Sequence, residues 1–423
     1  MSSLRERLRR VRGDAVTAPA ADASTAPGPA QPSLAARLRR LGAARAGAPQ
    51  PAPPAAVTAP VERVLDEAAL AAELGAERLA PGVLRLTQSR PLALAHGRCA
   101  LRPEPAAVSL LQPDAPTDPR GWVVLDTETS GLAGGTGTWV FVVGLARWRD
   151  GHLALVQYLL TRLDAEAAFL AQVRTDLAAA ELLLSYNGKT FDVPLLAARL
   201  RLARLAETAA HLPHLDLLHP LRRAFGGVWP DCRLATVERR LLAHVRADDL
   251  PGAEAPAAWL AWLRRGDASR LGAVLAHNRV DLLSVAALPA RLAAVHRAPA
   301  AHGGDVLRIA RWRLARGDGI AARQLLVAAQ AETPSAPARH LLARLHLRAG
   351  DWRAAVALWE QLAAVGDAAA LEALAKHYEH RAKDLRRALA CAQALPPGPE
   401  RERRCRRLAD KMPGDVDRRA IDD

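Results

Sequence analysis

Asp126 and Glu128 stand two residues apart at the end of an unbroken apolar run, Trp122-Val123-Val124-Leu125, and Thr129-Ser130-Gly131 closes it. A short apolar run bounded by turn residues predicts a strand buried on both faces. Side chains alternate along a strand, so the two carboxylates emerge on one face and Thr127 on the other. Adjacent carboxylates at the end of a buried strand repel each other. A cation between them relieves the repulsion, and hard oxygen ligands favour Mg²⁺ or Mn²⁺. An acidic strand end facing water reads the same way, so the pair gains meaning only from matching parts elsewhere.

Two further acids sit among apolar residues. Asp192 lies in Asn187-Gly188-Lys189-Thr190-Phe191-Asp192 and is followed by Val193 to Leu196, while Asp281 lies between Val280 and Leu282-Leu283. His277 is one helical turn before Asp281 and shares its face. Taken singly, Asp192 suits a helix N-terminus and Asp281 a solvated helix position. Taken together, carboxylates in apolar surroundings are costly to bury without a cation. Four of them on one strand and two helices could hold two metal ions about 4 Å apart, an arrangement that hydrolyses phosphodiesters.

The elements that must position these groups read as an α/β domain. Strands are expected at Trp139–Arg147 and His152–Leu160, joined by the hairpin signal Asp150-Gly151, then a helix over Ala165–Ala179 and a strand over Glu181–Tyr186. A helix follows from Thr190 to Leu202, a strand near His214–Leu218, and a last helix over Leu271–Leu288. Upstream, Leu65–Leu74 has helical periodicity, Gly82–Leu86 and Pro91–Leu94 read as short strands, and His96-Gly97 as a turn with a structural histidine. The glycines at 131, 134, 135 and 137 fit neither a dinucleotide fingerprint nor a P-loop, and Gly188-Lys189-Thr190 lacks the first P-loop glycine, Leu183 standing in its place. In the last third, Gly317-Asp318, Gly350-Asp351 and Lys383-Asp384 recur every 33 residues, each with an alanine four residues after the Asp (Ala322, Ala355, Ala388). Such helix–turn–helix units resemble tetratricopeptide repeats, which bind proteins or peptides; packing against the main domain is the plainer role. The Arg-rich stretch Arg401–Arg407 reads as a solvated helix face.

Asp126-Thr127-Glu128, the Asn187…Asp192 segment and His277…Asp281 resemble the three motifs of the DEDD (DnaQ-like) exonuclease superfamily, whose fold is ribonuclease H-like. More narrowly, residues 121–295 resemble the YprB-type ribonuclease H-like domain through Leu125–Leu132, Gly134–Thr138, Tyr186-Asn187-Gly188, His214–His219, Leu234–Arg240 and His277–Leu283. The resemblance covers about two fifths of the chain. It implies a mixed central sheet flanked by helices, with Asp126, Glu128, Asp192 and Asp281 as ligands of two Mg²⁺ or Mn²⁺ ions. It also implies His277 as general base. The superfamily's histidine form usually leaves four residues between base and last aspartate; here three intervene, the spacing of its tyrosine form. Lys189, Asn187 and Arg279 flank the motifs and could touch nucleic acid, although exposed charges are equally explicable as solvated ones.

The resulting layout has a disordered basic Ala/Pro-rich tail (1–60), a small accessory segment (61–118), the ribonuclease H-like domain (119–297), tetratricopeptide-like repeats (298–412) and a short tail (413–423). The chain carries a net charge of +14, nearly all from arginine. That favours a polyanionic partner, although a bias towards Ala and Arg produces the same excess. Four scattered cysteines argue for a reducing compartment and against a cysteine zinc site. No secretory signal is expected, nor any run long enough to span a membrane, so a cytoplasmic protein follows. His211, His214, Asp216 and His219 match neither one strand face nor one helix face, so Asp216 suits an outer-shell role better than zinc. Two functions remain: a metal-dependent nuclease, 3′–5′ on single-stranded DNA or RNA, and an inactive nucleic-acid-binding adaptor whose repeats recruit a protein.

Overall fold

Alternation along the central strand sorts the whole domain. The computed structural model describes residues 66–131, 137–247, 249–330 and 335–412, all within one compact unit. The two expected tails and part of the glycine-rich loop lie outside these residues. In chain order come α1 (Glu67–Leu74), β1 (Glu77–Ala80), β2 (Val83–Pro91), β3 (Ala95–His96), β4 (Cys99–Ala100), α2 (Pro105–Leu111) and β5 (Trp122–Thr129). Next are β6 (Val140–Arg149), β7 (His152–Leu160), α3 (Glu166–Leu177), β8 (Leu182–Ser185), α4 (Asp192–Leu202), β9 (His214–Asp216), α5 (Leu218–Phe225), α6 (Ala255–Arg265) and α7 (Leu271–Arg297). Seven strands form one mixed sheet in the order β1-β2-β7-β6-β5-β8-β9. β8 pairs parallel to both β5 and β9, and the other neighbours pair antiparallel.

Trp122 and Val124 join a core with most of α7, α2 and α5; Val123 and Leu125 join the opposite core with α1, α3, α4 and α6. The helix α7 crosses between the two. Its first turns (Leu271, Val274, Leu275) belong to the second core and its later turns (Leu282, Val285, Leu288) to the first. Asn278 and Asp281 lie at that crossing.

Four expectations are corrected. Pro91–Leu94 is not a strand: Pro91 ends β2 and the Leu94 N–H bonds to the Pro91 carbonyl at 2.9 Å, closing a turn. The segment expected to be accessory supplies β1 and β2 to the sheet, with β2 in register against β7 from Val83↔Leu160 to Pro91↔His152. The last helix runs past Leu288 through Pro289 to Arg297. An interior proline costs about 3 kcal/mol, but Val285, Leu288, Leu292 and Val295 around it are all buried. This helix is long and apolar enough by composition to cross a membrane, against the expectation of none, and 56% of its apolar window is buried inside the fold.

Beyond α7 the described chain is all helical: α8 (Val306–Ala315), α9 (Gly319–Ala328), α10 (Ala336–Arg348), α11 (Trp352–Ala363), α12 (Ala368–His377), α13 (Leu385–Gln393) and α14 (Pro399–Lys411). The 33-residue spacing marks helix starts. Asp318, Asp351 and Asp384 are N-caps, their carboxylates accepting from the N–H groups of Ala321, Ala354 and Arg387 at 3.0 Å each. Gly317, Gly350 and Lys383 before them are left-handed, with φ of 82°, 78° and 57°. The recurring alanines are fully buried where helices touch. The expectation of a solvated arginine face is corrected in part: Arg404 is buried beside Glu372, and Arg407 pairs with the buried Glu379.

Candidate active site

The end of β5 receives side chains from both cores. Asp126 and Glu128 share the parity of Trp122 and Val124 and so face α7; Thr127 faces α4. Across the ladder Asp126 pairs with Gly144. A Cβ at Gly144 would stand 2.2 Å from Asn278 Oδ1 and 2.8 Å from Leu282 Cδ1, so only glycine lets α7 approach the sheet this closely. The fully buried Asn278 then donates from Nδ2 to Asp126 Oδ2 at 2.7 Å, and its Oδ1 accepts from Gln157 Nε2 at 2.7 Å. Asp281 follows one turn later, with His277 Nε2 3.8 Å from its Oδ2.

Asp192 arrives from the opposite face. It opens α4 and accepts from Thr127 Oγ1 at 2.5 Å. The loop before it is pinned by the buried Asp216, whose carboxylate accepts from the backbone N–H groups of Asn187 (2.8 Å), Lys189 (3.0 Å) and Leu218 (3.0 Å). Asp216 therefore fixes the loop that leads into Asp192.

The acids perturb one another. Glu128 is pushed up to about 8, by burial first and then by the charges of Asp281 and Asp192. Burial lifts Asp192 to about 6 against the hydrogen bonds from Thr127. Asp126 rises well above the usual carboxylate range through burial, then through Asp281, Asp192 and Glu128. Burial raises Asp281 as well, although Arg246 and His277 oppose it. Burial is the largest cause throughout, and the charges of Asp281 and Asp192 add to it at Asp126 and Glu128, so acids from three elements influence one another.

Arg246 is the residue that sequence reasoning missed. Its guanidinium grips the buried Glu238 with two bonds of 2.7 Å, reaches Asp249 at 3.1 Å and bonds Asp281. No signal marks it out in a chain so rich in arginine. Asp249 also meets His277 Nδ1 at 2.7 Å. Arg246 Nη1 lies 3.2 Å from the same nitrogen, so Arg246 and Asp249 together fix the ring, with its Nε2 edge towards Asp281. Asn278 did have a signal, since it sits inside the motif between His277 and Asp281.

Of the residues expected to touch nucleic acid, Asn187 and Lys189 are exposed beside Asp192's loop. Arg279 is not brought there. Two residues from Asp281 on a helix it points about 200° away, and burial and the Arg90 charge both lower its pKa. The histidine cluster also does not converge. His214 Nε2 bonds Ser185 Oγ at 2.7 Å, and His219 lies 4.0 Å from Asp216.

Among the described residues, no group of three or more His, Cys, Asp or Glu side chains stands as a ready metal cage. At the end of β5, Asn278, Thr127 and Arg246 hold Asp126, Asp192 and Asp281 respectively. The donor set nevertheless fits a hard divalent cation. It consists of buried carboxylate oxygens whose pKa values are raised first by burial, and a bound cation would reverse that shift.

A model of the RNase_H superfamily matches residues 123–293, from β5 to α7. The superfamily comprises mostly hydrolases that act on nucleic acid, usually with divalent metal ions. The uncharacterized protein YprB of Bacillus subtilis (strain 168) is 32% identical over 286 residues, covering 63% of this chain and 67% of the relative. The chain therefore belongs to the YprB family and carries an RNase_H superfamily domain.

Proposed function

We propose that the protein is a metal-dependent nuclease of the DEDD type, removing nucleotides from the 3′ end of single-stranded DNA or RNA. The observation that supports this reading is that Asp126, Glu128, Asp192 and Asp281, from β5 and the two helices beside its end, are buried and electrostatically linked, the charges of Asp281 and Asp192 raising both Asp126 and Glu128. These four acids would hold two Mg²⁺ or Mn²⁺ ions, which supply an acidified water and charge stabilisation at the leaving oxygen. His277 takes the proton of the attacking water at Nε2, and Asp249 orients the ring and stabilises the imidazolium. Asn278 and Thr127 aim two of the carboxylates. The C-terminal helices suit a tetratricopeptide-like role in protein binding, and the four free cysteines suit the cytoplasm.

The test uses the full chain with end-labelled oligonucleotides. Cleavage from the 3′ end with Mg²⁺ or Mn²⁺, stopped by EDTA and abolished by Asp126→Asn and by Asp281→Asn, is the expected outcome. Cleavage that survives in both variants sinks the reading. One observation favours a nucleic-acid-binding adaptor without catalysis: Arg246 already neutralises Asp281. An adaptor of that kind would show no Mn²⁺ binding in calorimetry, with wild type and Asp126→Asn alike.

A further inference from the structure

A cleft of about 650 Å³ opens beside the acids, lined among others by Tyr186, Asn187, Arg222, Trp229, Arg233 and Arg308. Asn187 joins it to the candidate active site, because a Cβ on the next residue, Gly188, would lie 3.4 Å from Asp192 Oδ2. Its chemistry is one-sided. Arg222, Arg233 and Arg308 are exposed and enter no salt bridge among the described residues. The lining acid, Asp231, is already used as a cap, accepting from the Arg233 N–H at 3.0 Å and Thr236 Oγ1 at 2.7 Å. Three exposed guanidinium groups without a salt bridge on one hollow make a positive surface that attracts a polyanion.

The cleft also carries aromatic surface. Trp229 stacks on Phe225 with ring centroids 3.9 Å apart, and Arg240 reaches over the indole at 5.3 Å. Tyr186 is held by its hydroxyl, which donates to the Cys232 carbonyl. Guanidinium groups interleaved with aromatic rings are the composition of single-strand nucleic-acid grooves, where phosphates meet the charges and bases meet the rings. Arg308 comes from α8, beyond the matched superfamily region, and its Nη1 lies 3.2 Å from where a Gly226 Cβ would stand. The Asp305 N–H bonds to the Ala224 carbonyl at 2.7 Å and so ties the start of α8 to α5.

We propose that this cleft binds a single-stranded nucleic acid on its way to the acids, with Arg222 and Arg308 on its phosphates. The inference deepens the nuclease reading and rests on it for the direction of the strand. Binding is tested without cleavage, on the full chain in EDTA, by fluorescence anisotropy of a labelled oligothymidine of about 20 nucleotides. Arg222→Glu with Arg308→Glu should weaken binding roughly tenfold and flatten the log–log salt slope by about 1.4, two single-strand contacts at about 0.7 each. Arg222→Lys with Arg308→Lys keeps the charge and should keep the slope. Arg353→Glu with Arg386→Glu, on the exposed surface of the C-terminal helices, should leave the slope as it is.

An unchanged slope in the Glu pair overturns the inference, as does an equal loss in the distant pair. Tighter binding of a polyglutamate peptide than of the oligonucleotide overturns it too. Wild type that binds but never cuts with Mg²⁺ or Mn²⁺ removes the nuclease reading alone. Wild type that cuts while the Glu pair keeps its slope removes the cleft alone.

Discussion

Glu128 makes no side-chain hydrogen bond among the described residues, and its pKa of about 8 has a thermodynamic consequence. The folded protein keeps a proton that the unfolded chain releases near 4.5, its ordinary value. Between those two values the folded state binds more protons, so the metal-free protein loses stability as pH rises through this window. A divalent ion displaces the proton, and its stabilisation grows with pH. Thermal unfolding should therefore show a larger Mn²⁺-induced rise at about pH 8 than at about pH 5.5. Glu128→Gln should flatten the metal-free pH dependence and shrink the Mn²⁺ effect; a Mn²⁺ shift independent of both pH and this substitution would contradict the account. Asn278→Ala, which leaves Asp126 unaimed, should cost about 10–100-fold in Mn²⁺ affinity by calorimetry. At this scale the sequence was informative where a residue type clashed with its surroundings. Carboxylates among leucines and valines stood out, and all four are buried with raised pKa values. Arg246 and Asp249 sit on a connecting loop with ordinary neighbours, so their pairing with Asp281 and His277 exists only in three dimensions. Arg279 failed for a related reason: nearness in sequence to Asp281 ignores the direction of a helix face.

At the scale of elements, the site depends on how closely α7 lies on the sheet, and Gly144 sets that distance. Gly144→Ala puts a methyl 2.2 Å from Asn278 Oδ1. The helix must then move, at about 1–3 kcal/mol for such overpacking. A lower melting temperature together with weaker Mn²⁺ binding is expected, because Asn278 and Asp281 ride on the displaced helix. A fall in melting temperature with metal affinity intact would show that the acids do not depend on this approach. Long, strongly patterned elements were legible. β5 to β8, α3 and α4 fall within a few residues of their expected bounds, since buried strands and amphipathic helices write themselves into apolar runs and turn residues. The failures lie at edges. β1 has the sequence Glu77-Arg78-Leu79-Ala80 and no buried residue, as suits the rim of a sheet. Leu92 to Leu94 is apolar yet forms a turn, dictated by Pro91. The end of α7 was misjudged because packing on both sides of Pro289 overrides a local signal.

For the whole molecule, the decisive question is whether the C-terminal helices are an appendage or part of the same core. The 33-residue spacing exposed the helix starts but could not say what the array packs on, because the shared face is read one residue at a time from both partners. One contiguous set of buried side chains runs from Trp122 and Leu184 of the sheet through Leu292 and Ile309 to Leu362 and Leu408. Specific polar contacts seal the junction. His296 Nε2 meets the Pro220 carbonyl at 3.0 Å, the His296 ring packs edge-on against Trp312 at 5.5 Å, and Arg313 donates to the His296 carbonyl at 2.9 Å. Stacked helical repeats that touch only their neighbours unfold as a chain of local equilibria, whereas elements with a common core unfold together. Ile309 is fully buried in α8 at that junction. Ile309→Ala should cost about 2–5 kcal/mol and lower, by the same amount, the midpoints reported by circular dichroism, tryptophan fluorescence and Mn²⁺ release. If the helices were independent, the substitution would split the transition, with helical signal lost first and the metal retained. Coincident transitions would mean that damage in α8 reaches the acids on β5, α4 and α7 through packing alone, and that the arginine which α8 lends to the cleft is held by the same core as the site it serves.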